Sequence, residues 1–288
     1  MSSNRVTIVL DATMLDMFLL CPARFNYRFN LNKTGIEKAK PLDRGTIVHV
    51  GCESYYGALA GKMKFDSAVE TMVKSMNLAI ASEECELSAD DAKRTIDVML
   101  ENVTFWRTAD SNLQIKQVEQ SFIYELYSDE VVRIMMMGKI DLLCDDKISS
   151  NLPYDHKSYD REYPTKRLTN QFLNYANAVS SNYLIVNKIG FQKTLPPEQK
   201  FKRIPLSYDP LIIEQWKANT VTICMNYLNC AIEKEWPMNF TSCDKFNRLC
   251  EYFEVCDSSG DEAKIYKLST NFKTVEPWDV SQSLSRKS

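Results

Sequence analysis

Two short stretches in the middle of this 288-residue chain carry the residue types that phosphodiester hydrolysis requires. The first is Gly138-Lys139-Ile140-Asp141. The second, after a turn, is Tyr154-Asp155-His156-Lys157. Carboxylates on the ends of neighbouring strands can converge on one divalent cation. Hard oxygen ligands suit Mg²⁺ or Mn²⁺, which polarises a phosphate and lowers the pKa of an attacking water. A lysine two residues after the second acid leaves the same strand face, because strand side chains alternate with period two. From there its charge can position the water and stabilise the pentavalent transition state. Asp-x-Lys alone equally describes surface acids beside a solvated lysine, so the rest of the chain decides the reading.

Three further features bear on it. His49, one of only two histidines, lies in Arg44-Gly45-Thr46-Ile47-Val48-His49 on a helix, with Glu53 one turn later. Glu119 interrupts an apolar strand, where an unpaired acid is costly, although it can also face solvent. Gln171 and Tyr175 lie one turn apart on the helix that follows Lys157, a spacing that any amphipathic helix also provides.

The elements that position these residues follow from periodicity and punctuation. Helices are expected over 11–20, ending at Cys21-Pro22, then over 41–59, 66–81 and 88–106, the last opening on Ser88 as N-cap. The β-branched and aromatic runs 114–127 and 131–144, split by Ser128-Asp129-Glu130, predict a hairpin. A strand at 152–157, a helix at 165–180 and strands at 183–191 and 202–208 follow, the last two joined by a polar loop containing Pro196-Pro197. A helix at 210–233 leads into a cysteine-bearing loop. This order predicts an α/β fold: a single domain over 1–257 with a mainly helical part (1–110), a mixed-sheet core (111–209) and a C-terminal helix and cysteine loop (210–257). Residues 258–288 read as a polar, poorly ordered tail.

Composition fits a globular protein, with 44% hydrophobic and 25% charged residues. A net charge of −3 excludes a global basic field and leaves room for a local DNA-gripping groove. No stretch reads as a membrane span or signal peptide, so an intracellular, cytoplasmic location with reduced cysteines is expected.

Taken in order, Cys-Pro-x-Arg-Phe from Cys21, Gly-x-x-x-His ending at His49, Gly-x-Ile-Asp ending at Asp141, Asp155-x-Lys157 and Gln171-x-x-x-Tyr175 resemble the RecB-like branch of the PD-(D/E)xK nuclease superfamily. The pattern is most similar to its phage exonucleases and CRISPR-associated adaptation nucleases, and spans Cys21 to Cys256. The resemblance implies a restriction-endonuclease-like mixed sheet flanked by helices. It makes His49, Asp141, Asp155 and the carbonyl of His156 metal ligands and Lys157 the catalytic lysine. Gln171 and Tyr175 would support the site, and Glu119 would be an auxiliary acid. An imidazole ligand favours acceptance of Mn²⁺ alongside Mg²⁺.

Nine cysteines are an odd set for disulfides. Cys243, Cys250 and Cys256 cluster near the C-terminus and lack the Cys-x-x-Cys spacing of zinc knuckles. Together with Cys21 they resemble the one-plus-three arrangement that holds a 4Fe–4S cluster in related nucleases, with zinc as the fallback because the first spacing is wide. Joining Cys21 to Cys243 would close a loop worth about 5 kcal/mol of chain entropy. The other five, Cys52, Cys85, Cys144, Cys224 and Cys230, read as core thiols.

For phosphate contacts the candidates are Arg161, Lys166 and Arg167 after the catalytic lysine, and Lys200, Lys202 and Arg203 beyond it. Tyr55, Tyr56 and Trp106 are candidates for base stacking, with core packing the competing role, above all for Trp106. The expected activity is a DNA exonuclease favouring single strands or free ends, alone or beside a helicase or recombinase. Two alternatives are a non-catalytic DNA-binding subunit of a recombination complex and a structure-specific endonuclease. Oligomeric state is not encoded in any pattern found.

Overall fold

A computed structural model describes residues 5–36, 40–82, 85–146, 149–245 and 248–277. The chain begins with β1 (Val6–Leu10), α1 (Ala12–Leu20), a short α2 (Pro22–Phe25) that runs into a π-helical turn, and β2 (Lys33–Gly35). Three long helices follow, α3 (Lys40–Ala60), α4 (Phe65–Ile80) and α5 (Ala89–Asp110). Next come β3 (Gln114–Ser128), β4 (Val132–Asp145), β5 (Leu152–Tyr159), α6 (Asn170–Ala178), β6 (Tyr183–Gly190), a short α7 (Pro197–Lys200) and β7 (Phe201–Ser207). The chain closes with α8 (Pro210–Glu233), β8 (Asp244–Lys245), β9 (Arg248–Leu249), α9 (Phe253–Cys256), α10 (Asp261–Thr270) and β10 (Phe272–Thr274).

Caps fix several boundaries. Asp11 accepts from Met14 N at 2.7 Å and opens α1. Pro22, which biases the preceding residue away from helical backbone, holds Cys21 extended and ends it. Ser88 caps α5 and Thr169 caps α6, each accepting from the amide three residues on.

The strands form a mixed sheet in the order β1-β4-β5-β6-β7, with β3 also paired to β4. β1–β4 and β5–β6 are parallel, while β4–β5 and β6–β7 are antiparallel. The expected architecture, a mixed sheet flanked by helices, is therefore present.

Two compact units divide the chain. One comprises Met1–Lys38, Ile123–Gly138 and Glu214–Ser288, and the other Ala39–Phe122 and Lys139–Ile213. In the second unit, α3, α4 and α5 bury a methionine-rich core around Met72, Met76 and Met99 against Tyr154 and Ile189 of the sheet. Gly51 allows the close approach, since a Cβ there would meet Met76 Sδ at 2.9 Å and Met99 Cε at 3.2 Å. That packing seats the helix carrying His49.

Within the first unit, the stretch from Ser258, expected as a polar tail, instead contains α10 and β10. β10 pairs with β2, and Phe272 stacks on Tyr252 with centroids 4.9 Å apart. Two buried side chains, Leu268 and Phe272, anchor a segment whose average composition is polar. Residues 278–288 lie outside the described residues. No helix among the described residues is long and apolar enough to cross a membrane.

Candidate functional site

β4 and β5 bring the two acids together, one strand step beyond the register pair Leu142 and Tyr154. Asp141 and Asp155 are buried, 8% and 0% exposed. The amide of His156 donates to Asp141 Oδ2 at 2.6 Å, which locks the two strands at this point. His49 reaches the pair from α3, its Nδ1 3.6 Å from Asp141 Oδ1.

Glu119 completes a group. Its backbone is left-handed (φ 51°) inside a strand, a conformation that costs a non-glycine residue on the order of 1 kcal/mol. The kink buries its carboxylate and pairs it with Lys139. Ligand atoms of His49, Glu119 and Asp141 all lie within 4.8 Å of one another. One imidazole and two carboxylates at that separation are a donor set suited to a divalent cation.

On the other side of Asp155 a chain of hydrogen bonds sets geometry. Asp155 Oδ1 accepts from Lys157 Nζ at 2.9 Å and from Gln171 Nε2 at 3.0 Å. Gln171 also accepts from Lys157 at 3.3 Å and donates to the Tyr175 hydroxyl at 2.9 Å. Tyr175 in turn donates to the carbonyl of Lys139 at 2.6 Å. The second oxygen of Asp155 is fully buried with no hydrogen-bond partner. A carboxylate oxygen stripped of water and unpaired is costly, and a cation would satisfy it. The residues present therefore fit a metal.

Electrostatics agree. Burial pushes both Asp141 and Asp155 up to about 6, with the His156 amide opposing it at Asp141 and Lys157 opposing it at Asp155. Burial and the Lys157 charge hold His49 below its ordinary value, so it stays neutral and able to ligate. At Lys157, burial works downward, but the charge and hydrogen bond of Asp155, with Asp141 beyond, hold the ammonium above its ordinary value.

His156 is positioned by residues that sequence patterns did not reveal. Its fully buried ring stacks on Tyr56 at 5.5 Å and 7°, and its Nδ1 lies 3.0 Å from Asn187 Nδ2. Asn187 is its register partner on β6, a relation visible only once strands pair.

Several expected contacts are corrected. Arg203 is not free for phosphate: its guanidinium is buried, ion-paired to Asp110, bonded to Tyr56 and stacked on Trp106 at 4.4 Å. Lys200 is buried against Glu101, whereas Lys202, in a part-exposed pair with Glu162, stays at the surface as expected. Tyr55 and Tyr56, 0% and 2% exposed, are core residues and cannot stack bases. Arg161, Lys166 and Arg167 are exposed on the loop after β5. Arg167 also donates to the Ser207 carbonyl.

The four cysteines lie together in the first unit. The Cys256 thiol is pushed up by burial, pulled down by a hydrogen bond from Tyr27, and pushed up again by Cys21, Cys250 and Cys243. Cys21 Sγ accepts from Asn239 N at 3.4 Å, and Cys250 N donates to the carbonyl of Cys243 at 2.7 Å. Among the described residues no three of these sulfurs lie within 4.8 Å of one another. None of the nine cysteines forms a disulfide.

Comparison with known proteins places this geometry in a family. Among solved structures the chain is similar to a provisionally named exonuclease of Eubacterium rectale, at 15% identity and TM-score 0.50, covering 84% of this chain and 89% of that one. It is also similar to LHK-Exo, solved in complex with dAMP, at 9% identity and TM-score 0.33, covering 65% and 93%. Curated protein sequences provide no match. The profile of the PD-(D/E)XK nuclease superfamily matches residues 10–257, most of the chain and all of the acid–lysine site. The chain belongs to the PD-(D/E)XK nuclease superfamily.

Proposed function

We propose that the chain is a divalent-metal-dependent DNA exonuclease acting on single strands or free ends. The observation that carries this reading is the convergence of His49, Glu119 and Asp141 within 4.8 Å, beside Asp155 with its unpartnered oxygen. His49, Asp141, Asp155, Glu119 and the His156 carbonyl would hold Mg²⁺ or Mn²⁺. Such an ion, when bound, supplies a lowered water pKa and charge stabilisation at the phosphate.

The chain's own residues supply the rest. Lys157 stays charged, pointing at the space beside Asp155, where it orients a nucleophilic water and offsets developing negative charge. Gln171 fixes the lysine and acid relative to each other, and Tyr175 ties Gln171 to the β4 backbone. Arg161, Lys166 and Arg167 are the phosphate-facing cations. The RecB-like branch, and work beside a helicase or recombinase in recombination, repair, replication or phage DNA processing, belong to the same proposal.

The four cysteines are read as a thiolate site for a 4Fe–4S cluster. Support comes from the nearness of the four thiols, since Cys21, Cys243 and Cys250 all act on Cys256. Broad visible absorption after anaerobic purification supports the cluster, and a colourless zinc-containing protein rejects it.

For the nuclease, 5′- and 3′-labelled single- and double-stranded DNA is incubated with Mg²⁺ or Mn²⁺, with Asp141→Ala as control. Metal-dependent release from ends that the variant lacks supports the proposal. Equal activity in the variant removes the site, and internal cuts in circular DNA favour an endonuclease.

A further inference from the structure

The loop between β5 and α6 separates the lysine at 157 from the glutamine at 171, yet its path is pinned throughout. Arg44 pairs with Asp160, and Gln192 donates to the Asp160 carbonyl at 2.8 Å. Glu162 pairs with Lys202. Lys188 donates to the Tyr163 carbonyl at 2.7 Å, and the Tyr208 hydroxyl donates to the Arg167 carbonyl at 2.8 Å.

Tyr163 stands out on this loop. An aromatic ring of its size usually seeks burial, but it is 45% exposed, and the loop also exposes Leu168. Its flanking cations are Arg161, Lys166 and Arg167. The ring is held rather than loose: the Lys188 ammonium sits 4.4 Å from its centroid, and Tyr159 packs edge-on at 6.2 Å and 83°. Lys188 is itself 1% exposed. An ammonium taken largely out of water and held by one carbonyl, two ring faces and the charge of Glu162 is an elaborate support for a loop that needs only to connect two elements.

The ring also lies on the catalytic face. Lys157 and Lys188 are partners in the parallel β5–β6 register, so their side chains leave the sheet on one side, as does Tyr159 two residues on. Tyr163, seated on the Lys188 ammonium, therefore stands on that side. A rigid, half-exposed aromatic ring amid cations, beside a phosphodiester site, has the makeup of a single-strand stacking surface.

We propose that Tyr163 is a stacking platform for an unpaired nucleobase of the bound DNA strand, next to the acid–lysine site. The inference rests on the nuclease reading above and sharpens its substrate: the strand must present at least one unstacked base there. A tyrosine that serves only to cover Lys188 predicts something different, because its loss would weaken all substrates equally.

The test is a double cycle on the full chain. Single-stranded oligonucleotides carrying one abasic position, walked along the strand, are compared with the intact sequence for wild type and Tyr163→Ala. We expect wild type to lose about tenfold in kcat/KM at one abasic position, and Tyr163→Ala to lose about tenfold on intact DNA. On the oligonucleotide abasic at that position, the variant and wild type should be equal. Tyr163→Phe, which keeps a ring, should retain the discrimination. A Tyr163→Ala loss of the same size at every abasic position, or no loss at all, overturns the proposal. The same cycle read as Kd by fluorescence anisotropy covers a chain that binds without cutting. Absence of cleavage there refutes the nuclease reading, while the base dependence of Kd still decides Tyr163.

Discussion

From Asp155, side chains lead to Gln171, then Tyr175, then the backbone of Lys139, every step a hydrogen bond, so that α6 ties β5 to β4. From Cys256, the comparable link among the described residues is to the Tyr27 hydroxyl, and the other three thiols act on it as neighbours. The acid–lysine site is built by the chain before any ligand arrives, apart from the oxygen of Asp155 and the strained Glu119. The cysteine cluster has its donors in one place, held by separate contacts such as Asn239 N to Cys21 Sγ and Cys250 N to the Cys243 carbonyl rather than by a connected chain of side chains. One region spends packing and hydrogen bonds on geometry, whereas the other leaves geometry to whatever its thiolates bind.

Five experiments break or sharpen this contrast. The largest effect should come from Asp110→Ala, which strands the buried Arg203 guanidinium without its partner. A loss of about 3–5 kcal/mol in urea unfolding is expected. A loss under about 1 kcal/mol would mean that the pair does not support the Tyr56–His156 stack. Next, Asp155→Asn keeps shape but removes charge, and should cost about 10²–10³-fold in kcat/KM on labelled DNA with little change in melting temperature.

Cys256→Ser tests the other region. If the thiolates hold a cluster that staples Cys21 to the C-terminal segment, stability falls by about 2–5 kcal/mol. Hydrogen-exchange protection should then be lost first at 5–36 and 248–277. Unchanged exchange would leave the cysteines as core thiols.

Acid should separate the regions too. Burial raises Asp141 and Asp155 to about 6, so the metal-free fold holds protons that the unfolded chain has released between pH 3.8 and about 6. Stability from this source falls as pH rises through that window. A cation needs both groups ionised, so apparent Mg²⁺ or Mn²⁺ affinity should fall steeply below pH 6, approaching about a hundredfold per pH unit. Calorimetric titration at pH 5 and pH 7 reads this, and equal affinity at both contradicts it. The smallest effect is expected from Tyr175→Phe, which removes the Gln171–Lys139 bridge and should cost about fivefold in kcat/KM, roughly 1 kcal/mol.

Much of the fold was legible because its local signals agree. Asp11 and Ser88 sit at helix starts as short polar residues do, and the hairpin of β3 and β4 follows from β-branched runs around Ser128-Asp129-Glu130, whereas the helix expected over 165–180 begins only at Asn170, where Thr169 caps it. Asp141, Asp155 and Lys157 were readable because their relation is one of strand period and adjacency. The tail after Ser258 was misread because composition averages over a helix, while Leu268 and Phe272 alone decide that it docks. Arg203 was misread because a basic residue looks the same in sequence whether it meets phosphate or a buried aspartate 93 positions away.

The sequence by itself determined the residue types, the two periods that set faces, and the order in which acids, lysine and glutamine arrive along the chain. Those are local properties, fixed by backbone geometry and side-chain alternation. Only the tertiary structure decided that Glu119 turns inward through a left-handed kink to join His49 and Asp141. The same holds for Asn187 meeting His156 and for Tyr163 standing on a buried ammonium. Each depends on strand register or on a contact between distant residues. Such relations have no period in the sequence, because the energy that selects them is shared among all the elements that pack around them.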